Sequence, residues 1–253
     1  MILRSVMKHV RDQNWFAVSL DFLIVVVGVF IGIQVANWND FRAELDLEQR
    51  YLQRLEASLV LDIAEHDDAV ALAEHRLDRS RLLIAAYADP AVALERPSEL
   101  FDAVVTAGFT YQPSVSDAVF DEMVATGNAR IIRDDSLRDA IAEYYGLIDM
   151  RTQWKYIREH TQLGYMDRRA GLLTPEQERR IWSANGTARF TPDEATALVE
   201  RMASFSELKE WLPFAEAWQN QQATDYREFG SVARALKDRI QGARSQSQNK
   251  TNP

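Results

Sequence analysis

The sequence predicts an all-α protein, with one N-terminal transmembrane helix followed by a long helix and a helical bundle. Three observations carry that expectation. Between Trp15 and Trp38 the only charged residue is Asp21. Residues 39–88 contain neither glycine nor proline and repeat apolar side chains at helical spacing. Beyond them come amphipathic segments with helix-capping signals, and no stretch alternates as a strand would.

The elements follow in order. Residues 1–15 form a cytoplasmic N-terminal segment and residues 16–38 a transmembrane helix. Trp15 to Trp38 covers 24 residues, roughly 36 Å of helix against a hydrocarbon core of ~30 Å. Trp15, Phe16 and Trp38 sit where interfacial aromatics belong. Two other readings compete with an anchor. A cleaved signal peptide needs small residues at −3 and −1, and the best site, after Ala36, puts Gln34 at −3. A buried soluble helix needs one apolar face, whereas Ile24–Val27 and Val29–Ile31 are apolar all round. Arg4, Lys8 and Arg11 precede the span, and only Arg42 and Arg50 follow within fifteen residues. That asymmetry favours a cytoplasmic N-terminus and an exported C-terminal part.

Asp21, Gly28 and Gly32 lie within about 40° on a helical wheel, with Val25 between Asp21 and Gly28 along the axis. Gly28 and Gly32 form a GxxxG, which permits close approach of two helix backbones. Asp21, Val25, Gly28 and Gly32 are therefore the expected packing face, for self-association or for another membrane subunit. The competing reading is a lipid-facing surface with an acid near the headgroups.

Residues 39–88 read as a long amphipathic helix, with Leu45, Leu52, Leu55, Leu59 and Ile63 on one stripe continued by Val70, Leu77 and Ile84. Its charged stretch Glu65-His66-Asp67-Asp68 with His75 reads as a solvated face rather than a metal site. Asp89-Pro90 to Arg96-Pro97 breaks the pattern. Residues 98–242 form the bundle domain. Ser98, Ser116, and Asp135 or Ser136 are the expected caps of successive helices, the last running unbroken through Trp154. Thr174-Pro175 and Thr191-Pro192 each combine an N-cap with proline at the first helical position. A final helix starts near Phe214, and residues 243–253 are a polar, disordered tail.

Composition limits function. The 253-residue chain has a net charge of −9 and no cysteine. Residues 1–38 carry +1 and the remainder −10, which argues against nucleic acid as the partner. Disulfides and thiolate chemistry are excluded. No phosphate-binding, dinucleotide, nucleophile-elbow or zincin motif occurs, nor any Glu-x-x-His of a di-iron bundle. The expectation is no enzyme, no cofactor and no metal. Tyr144, Tyr145 and Trp154 are the candidate ligand or partner aromatics, although aromatic side chains at helical spacing more often fill a core.

Two stretches also carry a resemblance. Gln34, Trp38 and Asn39 end the apolar helix. Phe120, Met123, Thr126, Gly127 and Asn128 are followed by Ile132, Asp134, Leu137, Arg138, Tyr144 and Tyr145. Over residues 1–150 the chain resembles an uncharacterised bacterial family of single-pass membrane proteins with a domain of unknown function, except that Phe120 stands where tyrosine is frequent. The resemblance implies a bacterial protein of the cell inner membrane and implies no activity. The function expected is a membrane-anchored interaction or scaffold protein, an accessory subunit of a membrane complex, whose partners are the lipid bilayer and a second copy or another subunit. The alternative is a membrane-tethered module that senses or binds a small molecule.

Overall fold

The computed structural model describes residues 15–183 and 188–251, and among them the chain is helical with no strand. Helix α1 runs Trp15–Ala88 without interruption, as expected of a segment lacking glycine and proline after Gly32. Then come α2 (Pro90–Leu94), α3 (Pro97–Thr106), α4 (Ala118–Ala125), a short 3₁₀ turn (Asn128–Ile131), α5 (Asp135–Thr152), α6 (Lys155–Arg169), α7 (Pro175–Ser183), α8 (Pro192–Met202) and α9 (Ser206–Thr251). The chain divides into two units, Met1–Tyr51 and Leu52–Pro253.

In the first unit the described part of α1 is one helix whose large apolar side chains, from Leu20 to Phe41, all face outward; Phe22 is 70% exposed. It is the one described helix long and apolar enough to cross a membrane.

In the second unit the long helices α1 and α9 run antiparallel. Arg81 pairs with Glu216 at 2.8 Å, and Arg227 with Glu74, Arg234 with Asp67 and Arg244 with Glu56. Partner numbers fall on one helix as they rise on the other, in steps of seven between the Glu74 and Asp67 pairs. The first three pairs are largely exposed and contribute at most about 1 kcal/mol each, so burial beneath them holds the helices together. The buried line on α1 is Leu52, Leu55, Leu59, Asp62, His66, Ala69 and Ala73, spaced three and four residues alternately, the seam of a coiled coil. The apolar stripe expected from the sequence leaves this seam after Leu59 and rejoins it at Leu77. Ile63 and Val70 are only half-buried, and Asp62 and His66 take the interior positions, each 1% exposed. The expectation of a solvated face is thus corrected at His66, and Asp62 lies inward with it; helical geometry forces the residues at those seam positions inward whatever their polarity.

Around this pair α5 and α6 pack on α9, and α8 packs on α2 and α3. The main core gathers Leu83, Phe101, Val104, Tyr165, Leu198 and Leu212. Tyr165 crosses it, its hydroxyl donating to the carbonyls of Val104 at 2.9 Å and Ala103 at 3.2 Å. Its ring lies where a side chain on Gly108 would be, 2.0 Å from a Cβ built there, so only glycine fits.

Several boundaries differ from expectation. Ser98 does not cap α3, which opens at Pro97; its hydroxyl instead accepts from the backbone of Phe190. Ser116 does not cap α4; its backbone N–H donates to Asp62. Asp134, not Asp135 or Ser136, caps α5, accepting from Leu137 N–H at 3.1 Å. Thr174 and Thr191 do cap, each with a reciprocal bond to the residue three further on, Gln177 and Glu194. Gly127 has φ +70° and ends α4, the left-handed turn that glycine tolerates. The helix expected to pass through Trp154 breaks there. The last helix begins at Ser206 and keeps Pro213 inside it. It also continues to Thr251, where a tail was expected from 243, and within it Gln241 and Arg244 bond to Glu56.

Candidate functional site

Two places collect the residues that the sequence singled out. On the apolar part of α1, Asp21, Val25, Gly28 and Gly32 share one side, and nothing lies within 4 Å of a Cβ built at either glycine. The backbone on that side is therefore bare over a full turn, flanked by exposed Val25 and Val29.

Tyr144 and Tyr145 lie in the interior of the second unit rather than at a surface. The Tyr144 hydroxyl donates to Asp62 Oδ2 at 3.1 Å, and Ser116 N–H donates to Oδ1 at 3.1 Å. One turn along α1, Glu65 accepts from the Tyr111 hydroxyl at 2.9 Å and Ser114 N–H at 3.2 Å. Tyr145 stacks on Phe120, ring centroids 4.6 Å apart, and meets Tyr144 edge-on at 5.0 Å. Asp62 and Glu65 thus pin the connection between α3 and α4 to the long helix, and the two tyrosines seal it. Burial pushes the Asp62 carboxyl up to about 6, against the opposing pull of its bonds to Ser116 and Tyr144, with Asp117 and Glu65 adding to the rise. The same burial raises both tyrosines. This cluster braces the fold.

Trp154 is 50% exposed and opens a different feature. At the break between α5 and α6 the two helices part over α9, leaving a cleft of about 390 Å³. Leu147 and Met150 come from α5, Trp154 from the turn, and Arg158 from α6. Helix α9 presents Trp218, Gln222, Asp225 and Phe229, successive turns of one face, with Gln221 and Glu228 beside them. Arg158 is 6% exposed and Gln222 4%. Burial lowers the Arg158 pKa, opposed by the charges of Tyr226 and Glu159. Comparison with protein-family models, curated proteins and solved structures finds no match for this chain. The chemistry of the cleft therefore has to be read from its own lining. Of the three aromatics named from the sequence, Trp154 lines it, and Tyr144 and Tyr145 do not.

Sequence reasoning missed the α9 half of the cleft. Its one available signal was the spacing 218, 222, 225, 229, a single stripe mixing tryptophan, amide, acid and phenylalanine where a plain core stripe would be aliphatic. The turn at Trp154 left no signal, since neither proline nor glycine stands between Arg151 and Lys155.

Proposed function

We propose that this chain is a membrane-anchored helical interaction protein. Residues 16–38 span a bacterial inner membrane, the N-terminus is cytoplasmic, and the helical unit from Leu52 onward lies on the periplasmic side. There it serves as a scaffold or an accessory subunit of a membrane complex. The observation that carries this reading is the uncovered apolar surface on every side of α1 from Leu20 to Trp38. Lipid removes such a surface from water at no cost to the backbone, whose polar groups are bonded within the helix. The resemblance over residues 1–150 supports the same compartment.

Within the span the bare strip at Gly28 and Gly32 is the association face. A second copy of the helix seats there, because two helices packing through glycine gain backbone contact that lipid chains do not reproduce. Crosslinking of the full chain in native membranes tests this. Gly28→Ile with Gly32→Ile is expected to abolish the crosslinked dimer, while Val27→Ile with Ile31→Val leaves it intact. A dimer that survives the glycine replacements removes this face from the assembly.

A further inference from the structure

The cleft at the α5–α6 break offers a ligand two kinds of surface. Met150, Trp154 and the ring of Trp218 make its wall apolar and partly aromatic, and Met150 and Trp154 are each about half exposed, at 49% and 50%. The charge it presents is negative. Asp225 and Glu228, one turn apart on α9, both line it, the first half-buried and the second exposed. Neither carboxylate has a cationic partner among the described residues, and Asp225 accepts from the neutral amide of Gln221 at 2.8 Å. Along the seam of the same helix the acids are matched, since Glu74, Asp67 and Glu56 of α1 each meet an arginine of α9. The cavity of about 390 Å³ falls within the range of small-molecule sites, about 300–1,000 Å³.

These surfaces narrow the class of molecule. Arg158 and Gln222 also belong to the lining, but both are buried, and a terminal nitrogen of the one and Oε1 of the other are fully enclosed. They show a ligand little polar surface. An anion would be repelled by both acids. A neutral hydrocarbon would take water from the carboxylates and return no counter-charge. A bare metal ion would leave the aromatic wall unused, and no group of three metal-binding side chains converges among the described residues. A cation on an apolar body uses everything that is open. Its charge faces the carboxylates and the indole rings, whose negative faces attract cations, and its body removes apolar wall from water.

We propose that this cleft binds a small organic cation with an apolar body, an arylalkyl amine or quaternary ammonium compound. Asp225 and Glu228 select the sign of the charge. Trp154 and Trp218, with Met150 beside them, form the wall against which the body lies. The residues involved all lie between 150 and 228, so the site stands or falls independently of the membrane span and its packing face.

Calorimetric titration of the full-length chain in a non-ionic detergent, at constant ionic strength, tests the proposal with benzyltrimethylammonium chloride. Tryptophan emission followed in parallel reports on Trp154 and Trp218. The probe is expected to bind and shift the emission. It should bind about tenfold more tightly than benzyl alcohol, which lacks the charge, or tetramethylammonium, which lacks the ring. Asp225→Asn with Glu228→Gln keeps the shape of both side chains and is expected to weaken binding about tenfold. Glu200→Gln with Asp238→Asn removes two exposed carboxylates outside the cleft and should leave binding within about twofold of wild type. Trp154→Ala, at a half-exposed position, is expected to weaken it about fivefold. No heat and no emission change up to ~10 mM probe would overturn the proposal. So would benzyl alcohol or tetramethylammonium binding equally well, or equal losses in the two double variants.

Discussion

Asp62 shows what a single buried carboxylate does to this fold. Its ordinary pKa is 3.8 and its folded value is about 6, raised first by burial. Between those values the folded chain holds a proton that the unfolded chain releases, so this residue's contribution to stability is fully present below pH 3.8 and is lost as pH rises through 6. Asp62→Asn removes the titration while keeping an oxygen to accept from Ser116 N–H. Relative to wild type, the variant should therefore gain about 2 kcal/mol in unfolding free energy as pH goes from about 4.5 to about 7.5. Urea unfolding of the detergent-solubilised chain at the two pH values measures it, and a gap that stays constant would mean that Asp62 titrates normally. The residue was visible in the sequence as one of a run of charges. Nothing in the run distinguished Asp62 and His66, which face inward, from Asp67 and Asp68, which face water; only the register of α1 against α9 does that.

That register belongs to the element. The long helix and the all-helical class were legible because helix-breaking residues are absent and apolar residues recur at the right spacing. The interior face was legible as far as Leu59 and again at Leu77, which is buried. Between them the seam uses an acid, a histidine and two alanines, while apolar Leu61, Ile63 and Val70 lie off it, so hydropathy there points to the wrong line. The small residues have their own purpose. Ala69 and Ala73 meet Ala223 and Tyr226 across the seam, where larger side chains would force the two helices apart. Ala69→Leu should destabilise the second unit by about 1–3 kcal/mol, as overpacking does. Ala71→Leu, two residues away on the exposed side, should stay within about 0.5 kcal/mol of wild type. Equal effects at the two positions would place the seam elsewhere. The capping threonines at 174 and 191 were readable because their chemistry is local. The caps expected at Ser98 and Ser116 failed for the opposite reason, since tertiary contacts with Phe190 and Asp62 claim those residues.

At the scale of the whole molecule the charge distribution and the apolar helix make one joint claim about placement. Residues 1–38 carry a net +1 and the rest −10, and basic residues are retained on the cytoplasmic side while acids contribute little. The three basic residues ahead of the span against two soon after it favour a cytoplasmic N-terminus, and in the proposed placement the acidic body is the part that crosses. The natural chain has no cysteine, so single introduced thiols report on topology without background. A membrane-impermeant maleimide applied to intact spheroplasts should label Ala57→Cys, an exposed position on α1, and should label Ser5→Cys only after the membrane is opened. The reverse pattern would invert the orientation and put the cleft at Gln222 in the cytoplasm. A chain shortened by cleavage after Ala36 and released by a carbonate wash would make the apolar helix a signal peptide, and the face at Asp21, Val25, Gly28 and Gly32 would then have no part in the mature protein. An uncleaved chain of 28.9 kDa that resists the wash and labels as expected keeps that face in the bilayer and the helical unit outside the cytoplasm.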